Sequence, residues 1–235
     1  LWQIDGTDWQ LGDDRRCKII NIIDDASRVL GASRADWSET FVAAWETMCL
    51  GAKDWGWPEQ VLSDNGAAFN ALEVPLAHLG VSVTHSRPAH PQTCGKVERF
   101  HKTLKQWLTK QPAAIDLPEL QTQLDTFAAF YNNDRQHRAI GRQTPATRWE
   151  QLPKTGPADQ PITTKSRIHT ATVSKDGMVT AGNQTRINLG TKHARSTAKT
   201  IINATTANVF INGQHIRTIR LEPGRSSYPL KHDNL

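Results

Sequence analysis

HPQTCGKVERFHKTLK, residues 90–105, is the stretch on which the reading of this chain turns. From Gly95 onward its spacing predicts a helix running to Lys110. At 100° per residue, Glu98, Lys102 and Lys105 fall within about 60° of one another. Val97, Phe100, Leu104 and Trp107 form a separate apolar stripe. The helix can therefore bury the stripe and present one carboxylate and two ammoniums on another face. A Glu–Lys i, i+4 pair on a solvated helix has the same appearance. The helix takes its meaning from the acids that precede it.

Two of those acids end strand-like apolar segments: Asp5 in WQIDGTDW and Asp64 in VLSDNGAAF. Taken singly, each has an ordinary explanation. Asp64-Asn65-Gly66 suits a turn, and Asp8 is as good a candidate as Asp5 by composition. Together, carboxylates from two strands and a helix suit the holding of two divalent cations for phosphoryl transfer.

Between these markers the pattern predicts strands at Trp2–Thr7, Cys17–Ile23 and Val29–Ala35. Asp36 with Glu39 reads as a capping box opening a helix that carries Phe41, Trp45 and Met48 on one face. A fourth strand follows at Gln60–Ser63, a short helix at Leu72–Leu79 ended by Gly80, and a fifth strand at Val81–His85. Long helices are expected at Gly95–Lys110 and Leu117–Tyr131. This is a mixed α/β order with the ribonuclease H-like arrangement, in which acids from separate strands and a helix converge. Asp24 and Asp25 end the second strand and read as turn formers.

PKTGPADQP, residues 153–161, reads as a linker. Beyond it come short β segments: Ile168–Val173, Met178–Thr180, Thr185–Leu189, Thr200–Asn203, Val209–Ile211 and His215–Ile219. Asp176-Gly177 and Asn212-Gly213 are two-residue hairpin signals, because both central positions of such turns need positive φ. The expected organisation is a core at 1–150, a linker at 151–164, a small SH3-like β-barrel at 165–223 and a flexible tail at 224–235. The net charge of +5 divides unevenly. Residues 1–150 hold 16 Lys and Arg against 19 Asp and Glu, and residues 151–235 hold 12 against 4. All eight tryptophans lie in the first part. The basic second part points to a polyanionic partner.

Three scattered cysteines, Cys17, Cys49 and Cys94, argue against a disulfide framework and for a reducing cytoplasm. No apolar run approaches the roughly 20 residues that span a bilayer, so no membrane anchor is expected. His85, His90, Cys94 and His101 match no common zinc spacing. The start at Leu1 rather than Met reads as a fragment.

The flanks of the three acids resemble the integrase core shared by bacterial insertion-sequence transposases and retroviral integrases, the DDE enzymes. WQIDGT is similar to the first-strand motif, SDNGAAF to the second-aspartate motif and HPQTCGKVERFHKTLK to the third-acid helix. YNNDRQHRAIGRQTPATRW, residues 131–149, resembles the segment that closes the core. Cys94 and Gln136 depart from the residues usual at their positions. The resemblance implies that Asp5, Asp64 and Glu98 bind two Mg²⁺ or Mn²⁺ ions, and that water or a DNA 3′-hydroxyl is the nucleophile. It also implies that Lys96, Lys102, Lys105, His90 and Gln92 meet DNA, and that Asn65 and Gly66 shape the turn beside the second acid. Arg135 and Arg138 belong to a strip without acids that suits a DNA backbone. The expected partners are element ends and target DNA, with a homo-oligomer of the chain acting at the nucleoid. A ribonuclease H-like nuclease that only hydrolyses, or a truncated DNA-binding remnant, is the alternative.

Overall fold

Alternation along Trp2–Gln10 (β1) sends Trp2 and Ile4 to one face of a sheet and Gln3 and Asp5 to the other. In the computed structural model β1 is the central strand. It pairs antiparallel with β2 (Arg16–Asp24), which pairs antiparallel with β3 (Leu30–Asp36). On its other side lie β4 (Gln60–Ser63) and then β5 (Ser82–His85), both parallel. The resulting order, β3-β2-β1-β4-β5, is the mixed sheet that the sequence predicts. The structure describes residues 1–86, 95–160, 167–182, 185–202, 206–212, 214–222 and 224–230.

The sheet is covered on both faces. Trp2, Ile4, Ile20 and Ile22 pack with Met48 of α1 (Phe41–Trp55), Phe69 of α2 (Ala67–Asn70) and Leu76 of α3 (Glu73–His78). Ile19 and Ile23 pack on the opposite face with Phe100 and Leu104 of α4 (Gly95–Leu108) and Phe127 of α5 (Leu117–Asn133). The apolar run KIINII is buried because β2 has helices on both sides.

The capping box expected at Asp36 and Glu39 is replaced by a simpler cap. Thr40 is the N-cap of α1, and its hydroxyl accepts from the Ala43 amide at 3.1 Å. That hydroxyl already reaches the free amide of the first turn, so Glu39 is left outside the helix. A reciprocal arrangement forms instead at α5. Asp116 Oδ1 accepts from the Glu119 amide, and Glu119 Oε2 accepts from the Ile115 amide, each at 2.8 Å.

β3 is an edge strand, and α5 closes it with side-chain amides. Asn132 accepts from the Leu30 amide at 2.9 Å and donates to the Leu30 carbonyl at 3.0 Å. Gln121 accepts from the Ala35 amide and donates to the Ser33 carbonyl, both at 2.9 Å. Two carboxamides supply what a sixth strand would, so buried backbone groups are paired and the edge is blunted. The YNN segment therefore has a structural duty at Asn132.

Contacts divide the chain into two compact units, Leu1–Ile162 and Thr163–Leu235. In the first, α6 (Pro145–Gln151) is followed by a segment whose Ala158 amide donates to the Gly80 carbonyl at 2.9 Å. In the second, β6 (Arg167–Thr172), β9 (Thr197–Ile202), β10 (Thr206–Ile211) and β11 (Gln214–Arg220) form one antiparallel sheet in the order β11-β10-β9-β6. β7 (Met178–Ala181), β8 (Thr185–Asn188) and β12 (Ser227–Tyr228) form another, ordered β12-β8-β7. Val179, Ile187, Val209 and Ile219 lie in their shared core. Among the described residues the sheets are open, and the closure of an SH3-like barrel is not among their pairings. Asn212 lies at φ 50° between paired Ile211 and Gln214, the two-residue hairpin expected there. Asp176-Gly177 makes a turn, with Gly177 at φ 78°, but it joins strands of different sheets. Turn chemistry set the local bend, and the long-range partner of β6 is β9.

Candidate active site

Parallel pairing of Trp2 with Val61 and Gln3 with Leu62 carries Asp5 to the level of Asp64, the residue just past β4. α4 brings Glu98 over the same end of the sheet. The consequence is electrostatic. The Asp5 carboxyl is raised from 3.8 to about 7, first by burial and then by Asp64, Glu39 and Glu98, against a lowering hydrogen bond from the Gly6 amide at 2.9 Å. Asp5 forms the half-buried floor of the site, while Asp64 and Glu98 are exposed above it. Asp8 faces elsewhere, paired with Lys18 at 3.0 Å. The geometry thus separates two acids that composition left equivalent.

The turn after Asp64 is held at each residue. Asp64 Oδ1 accepts from the Gly66 amide at 2.8 Å, and the Asn65 amide group donates to the Ser86 carbonyl at 2.8 Å. Gly66 has an ordinary φ of −59°. Its lack of a side chain matters through space, because a Cβ there would lie 2.8 Å from Asp64 Oδ1.

Two residues that the sequence reading did not place in the site belong to it. Glu39 lies over Gly6 of β1 and Gly66 of the turn after Asp64. A Cβ on Gly6 would lie 2.0 Å from Glu39 Oε2, and one on Gly66 would lie 3.5 Å from Glu39 Oε1. Burial raises the Glu39 carboxyl, and Asp64 and Asp8 add to this against Lys18. It is a fourth carboxylate beside the three expected. His101, one helical turn after Glu98, is buried with Nδ1 3.8 Å from Asp5 Oδ2. Burial and then Lys105 lower its imidazole to about 4. Burial thus disfavours the charged form of both members of this contact. Helical periodicity places His101 about 60° from Glu98, a signal available in the sequence. Glu39 had no comparable local signal.

Asp64, Glu39 and Glu98 all act on the Asp5 carboxyl at this end of the sheet. Among the described residues, however, no three acidic, His or Cys side chains close on one coordination point. The donors are carboxylate oxygens, which suit hard divalent cations, and positive charge beside Asp5 offsets the burial and the repulsion that raise its carboxyl. The donor set therefore fits the ions expected from the sequence.

Of the residues expected to meet DNA, Lys102 is exposed on α4 and Lys105 is half-buried near Asp8 and His101. Lys96 is tied to Asp25 at 2.5 Å. Arg138 is exposed, and Arg135 lies over the Tyr131 ring at 5.9 Å. His90 and Gln92 lie outside the described residues, as does Cys94 of the rejected zinc set. His85 Nδ1 is 3.0 Å from Ser63 Oγ and 3.1 Å from the backbone carbonyl oxygen of Asp64. Asp24 accepts from Ala26 and Ser27 at 3.1 and 2.7 Å, the turn role expected of it.

Residues 79–145 match the family described as Integrase core domain. A curated relative, the Pol-related polyprotein of mouse intracisternal A-particle MIA14, is 38% identical over 81 residues, covering 32% of this chain. The matched stretch spans only 9% of that polyprotein. Among solved structures, the HTLV-2 integrase catalytic core domain in complex with magnesium is 17% identical. It aligns with a TM-score of 0.52 over 62% of this chain and 93% of its own. The simian T-cell lymphotropic virus intasome, solved with the PP2A regulatory subunit B56 gamma, is 21% identical with a TM-score of 0.56. It covers 94% of this chain and 78% of its own.

Proposed function

We propose, for a chain whose core is that of the DDE integrases and transposases, that it cuts DNA strands and joins them by metal-dependent phosphoryl transfer at Asp5, Asp64 and Glu98. The observation that carries this reading is the convergence of the acids: the β1–β4 register sets Asp5 level with Asp64, and the Asp5 carboxyl is raised first by burial and then by Asp64, Glu39 and Glu98, side chains 59, 34 and 93 positions away in the sequence. Acids that raise one another's proton affinity cost stability, and a fold keeps such a group where something positive is to be held.

Two divalent cations bound there supply an activated attacking oxygen and a stabilised leaving oxygen for an in-line displacement. The protein's own parts have separate tasks. Asp5 is fixed on the central strand and sets the position of the site. Asp64 is held by its own turn, and Glu98 is carried on the first turn of α4. Lys102 and Lys105 bind phosphates flanking the reacting one, and Arg138 and Lys96 extend that contact. Asn65 and Gly66 keep the Asp64 carboxylate aimed at the site. The basic second unit, with its excess of eight positive charges, binds DNA without reading sequence at the reaction centre. Paired cutting at two element ends calls for at least two copies of the chain. Among the described residues no helix is long and apolar enough to cross a membrane.

The test is strand cleavage and joining on short duplexes carrying candidate element ends, with Mn²⁺, comparing the chain with Glu98→Gln. Joining that the substitution abolishes is the expected result. Cutting without joining, equally sensitive to Glu98, would identify a hydrolytic nuclease instead. Binding to the correct duplex with no metal-dependent chemistry would leave a DNA-binding remnant.

A further inference from the structure

Behind the carboxylates, the end of the seam between α4 and α5 holds two guanidiniums that make no ion pair among the described residues. Tyr131 of α5 packs edge-on against Phe100 of α4 at 5.2 Å and against the His137 ring at 4.8 Å. Arg135 lies over the same ring. Arg28, in the turn between β2 and β3, lies two residues before Leu30, whose backbone amide and carbonyl are gripped by Asn132, the neighbour of Tyr131. Arg28 and Arg135 both hold the His137 imidazole down, to about 4, after the larger effect of burial.

Among the described residues, a buried nitrogen on each of these three half-exposed side chains has no hydrogen-bond partner: Arg28 Nη1, Arg135 Nε and His137 Nε2. Buried donors of this kind are ordinarily paired, and each left unpaired costs on the order of 1–3 kcal/mol. No carboxylate compensates them among the described residues. Asp24 is engaged by Ala26 and Ser27, and Asp25 by Lys96 and Gln3. Arg28 also occupies φ 71°, where Gly or Asn would sit with less strain. A guanidinium is thus held at a strained position, beside a second guanidinium and a neutral imidazole, on an aromatic base. This is the chemistry that receives a tetrahedral oxyanion.

We propose that Arg28, Arg135 and His137 form a binding site for one backbone phosphate of DNA, separate from the carboxylates that hold the cations. The site rests on the DNA-joining function proposed above and adds an anchor to it. Asp25 of the Arg28 turn ties Lys96, two positions before Glu98. A phosphate at the anchor therefore fixes the strand relative to the helix that carries the third acid. Arg138, exposed on the following turn, has no part in the anchor.

The experiment is anisotropy of a fluorescent 20-base-pair duplex titrated from 50 to 200 mM salt, with Arg28→Gln, Arg135→Gln and the remote control Lys53→Gln. Loss of one phosphate contact lowers the slope of log affinity against log salt by about 0.9, so each arginine variant loses about 3.5-fold less affinity than wild type across that range. Lys53→Gln should follow wild type. Far-UV circular dichroism and melting establish that each variant is folded, and Arg28→Gln, on a surface turn, serves if Arg135→Gln does not fold. An unchanged slope in a folded Arg28→Gln chain overturns the proposal. So does stabilisation of wild type by inorganic phosphate with no change in DNA slope, which would mark a site for the free anion. Slope changes in a chain that neither cuts nor joins would retain the anchor while removing the enzymatic reading.

Discussion

Replacing Asp5 by Asn should make the metal-free protein more stable while abolishing the strand joining proposed for it. The Asp5 carboxyl moves from 3.8 to about 7 on folding. At 1.36 kcal/mol per unit, the folded state binds that proton more tightly by about 4 kcal/mol at most, with solvent at the 27%-exposed side chain reducing the figure. For an acid raised on folding, the stabilising proton is fully present below the unfolded value near 4. Its contribution falls as pH rises through that interval and is gone above about 7. Asn is neutral throughout, so Asp5→Asn should match wild type near pH 4 and exceed it by up to about 4 kcal/mol at pH 8. Urea denaturation at both pH values, with and without Mg²⁺, reads this directly. Saturating Mg²⁺ should restore much of the deficit in wild type, about 2.7 kcal/mol at a hundredfold excess over Kd, and little in the variant. A variant no more stable than wild type at pH 8, or a difference that does not vary with pH, would refute the reasoning.

Asn132→Ala strands a buried amide and carbonyl of Leu30 and should cost roughly 2–4 kcal/mol in urea; a loss below about 1 kcal/mol would mean that α5 does not close the edge. Gly6→Ala places a methyl against Glu39 and should destabilise by about 1 kcal/mol in wild type but not in a Glu39→Ala background. Equal costs in both backgrounds would remove Glu39 from the site. Gly177→Ala, at φ 78° with a Cβ 2.4 Å from the Gly190 carbonyl carbon, should unfold the second unit by more than about 2 kcal/mol. Since every tryptophan precedes that unit, far-UV circular dichroism should change while the tryptophan fluorescence midpoint holds.

What the sequence made legible depended on how local the determinant was. The strand and helix periods of the first unit survive folding because burial on two faces enforces them, as KIINII illustrates. Asp5, Asp64 and Glu98 stood out because two end apolar segments, the third lies apart from its helix's apolar stripe, and their flanks resemble known motifs; that the other two act on Asp5 emerges only in the fold. Glu39 did not stand out. The spacing from Asp36 to Glu39 is the same as that from Asp116 to Glu119, yet only the second pair caps a helix. What separates them is Thr40, which satisfies the first helix by itself, and Gly6, which leaves room for a carboxylate 33 positions away. Asn132 was visible as a motif residue but not as a partner of Leu30, since an amide on a helix gives no sign that it meets a strand edge. In the second unit the strands were legible and their sheet membership was not. Period-2 alternation says which residues face inward and nothing about which strand lies alongside.

The two carboxamides of α5 also act as a gauge of length. Gln121 and Asn132 are 11 residues apart on a helix, about 16 Å. The strand they grip, from Ala35 back to Leu30, extends over a similar distance, about 16 Å. Helix and strand advance at different rates per residue, so they stay in step only at these particular counts. One residue inserted into either would slide one amide off its backbone partners while the other held. Insertions and deletions in descendants of this chain should therefore gather in the turns on either side and spare 30–35 and 121–132, even where side chains in those stretches change freely.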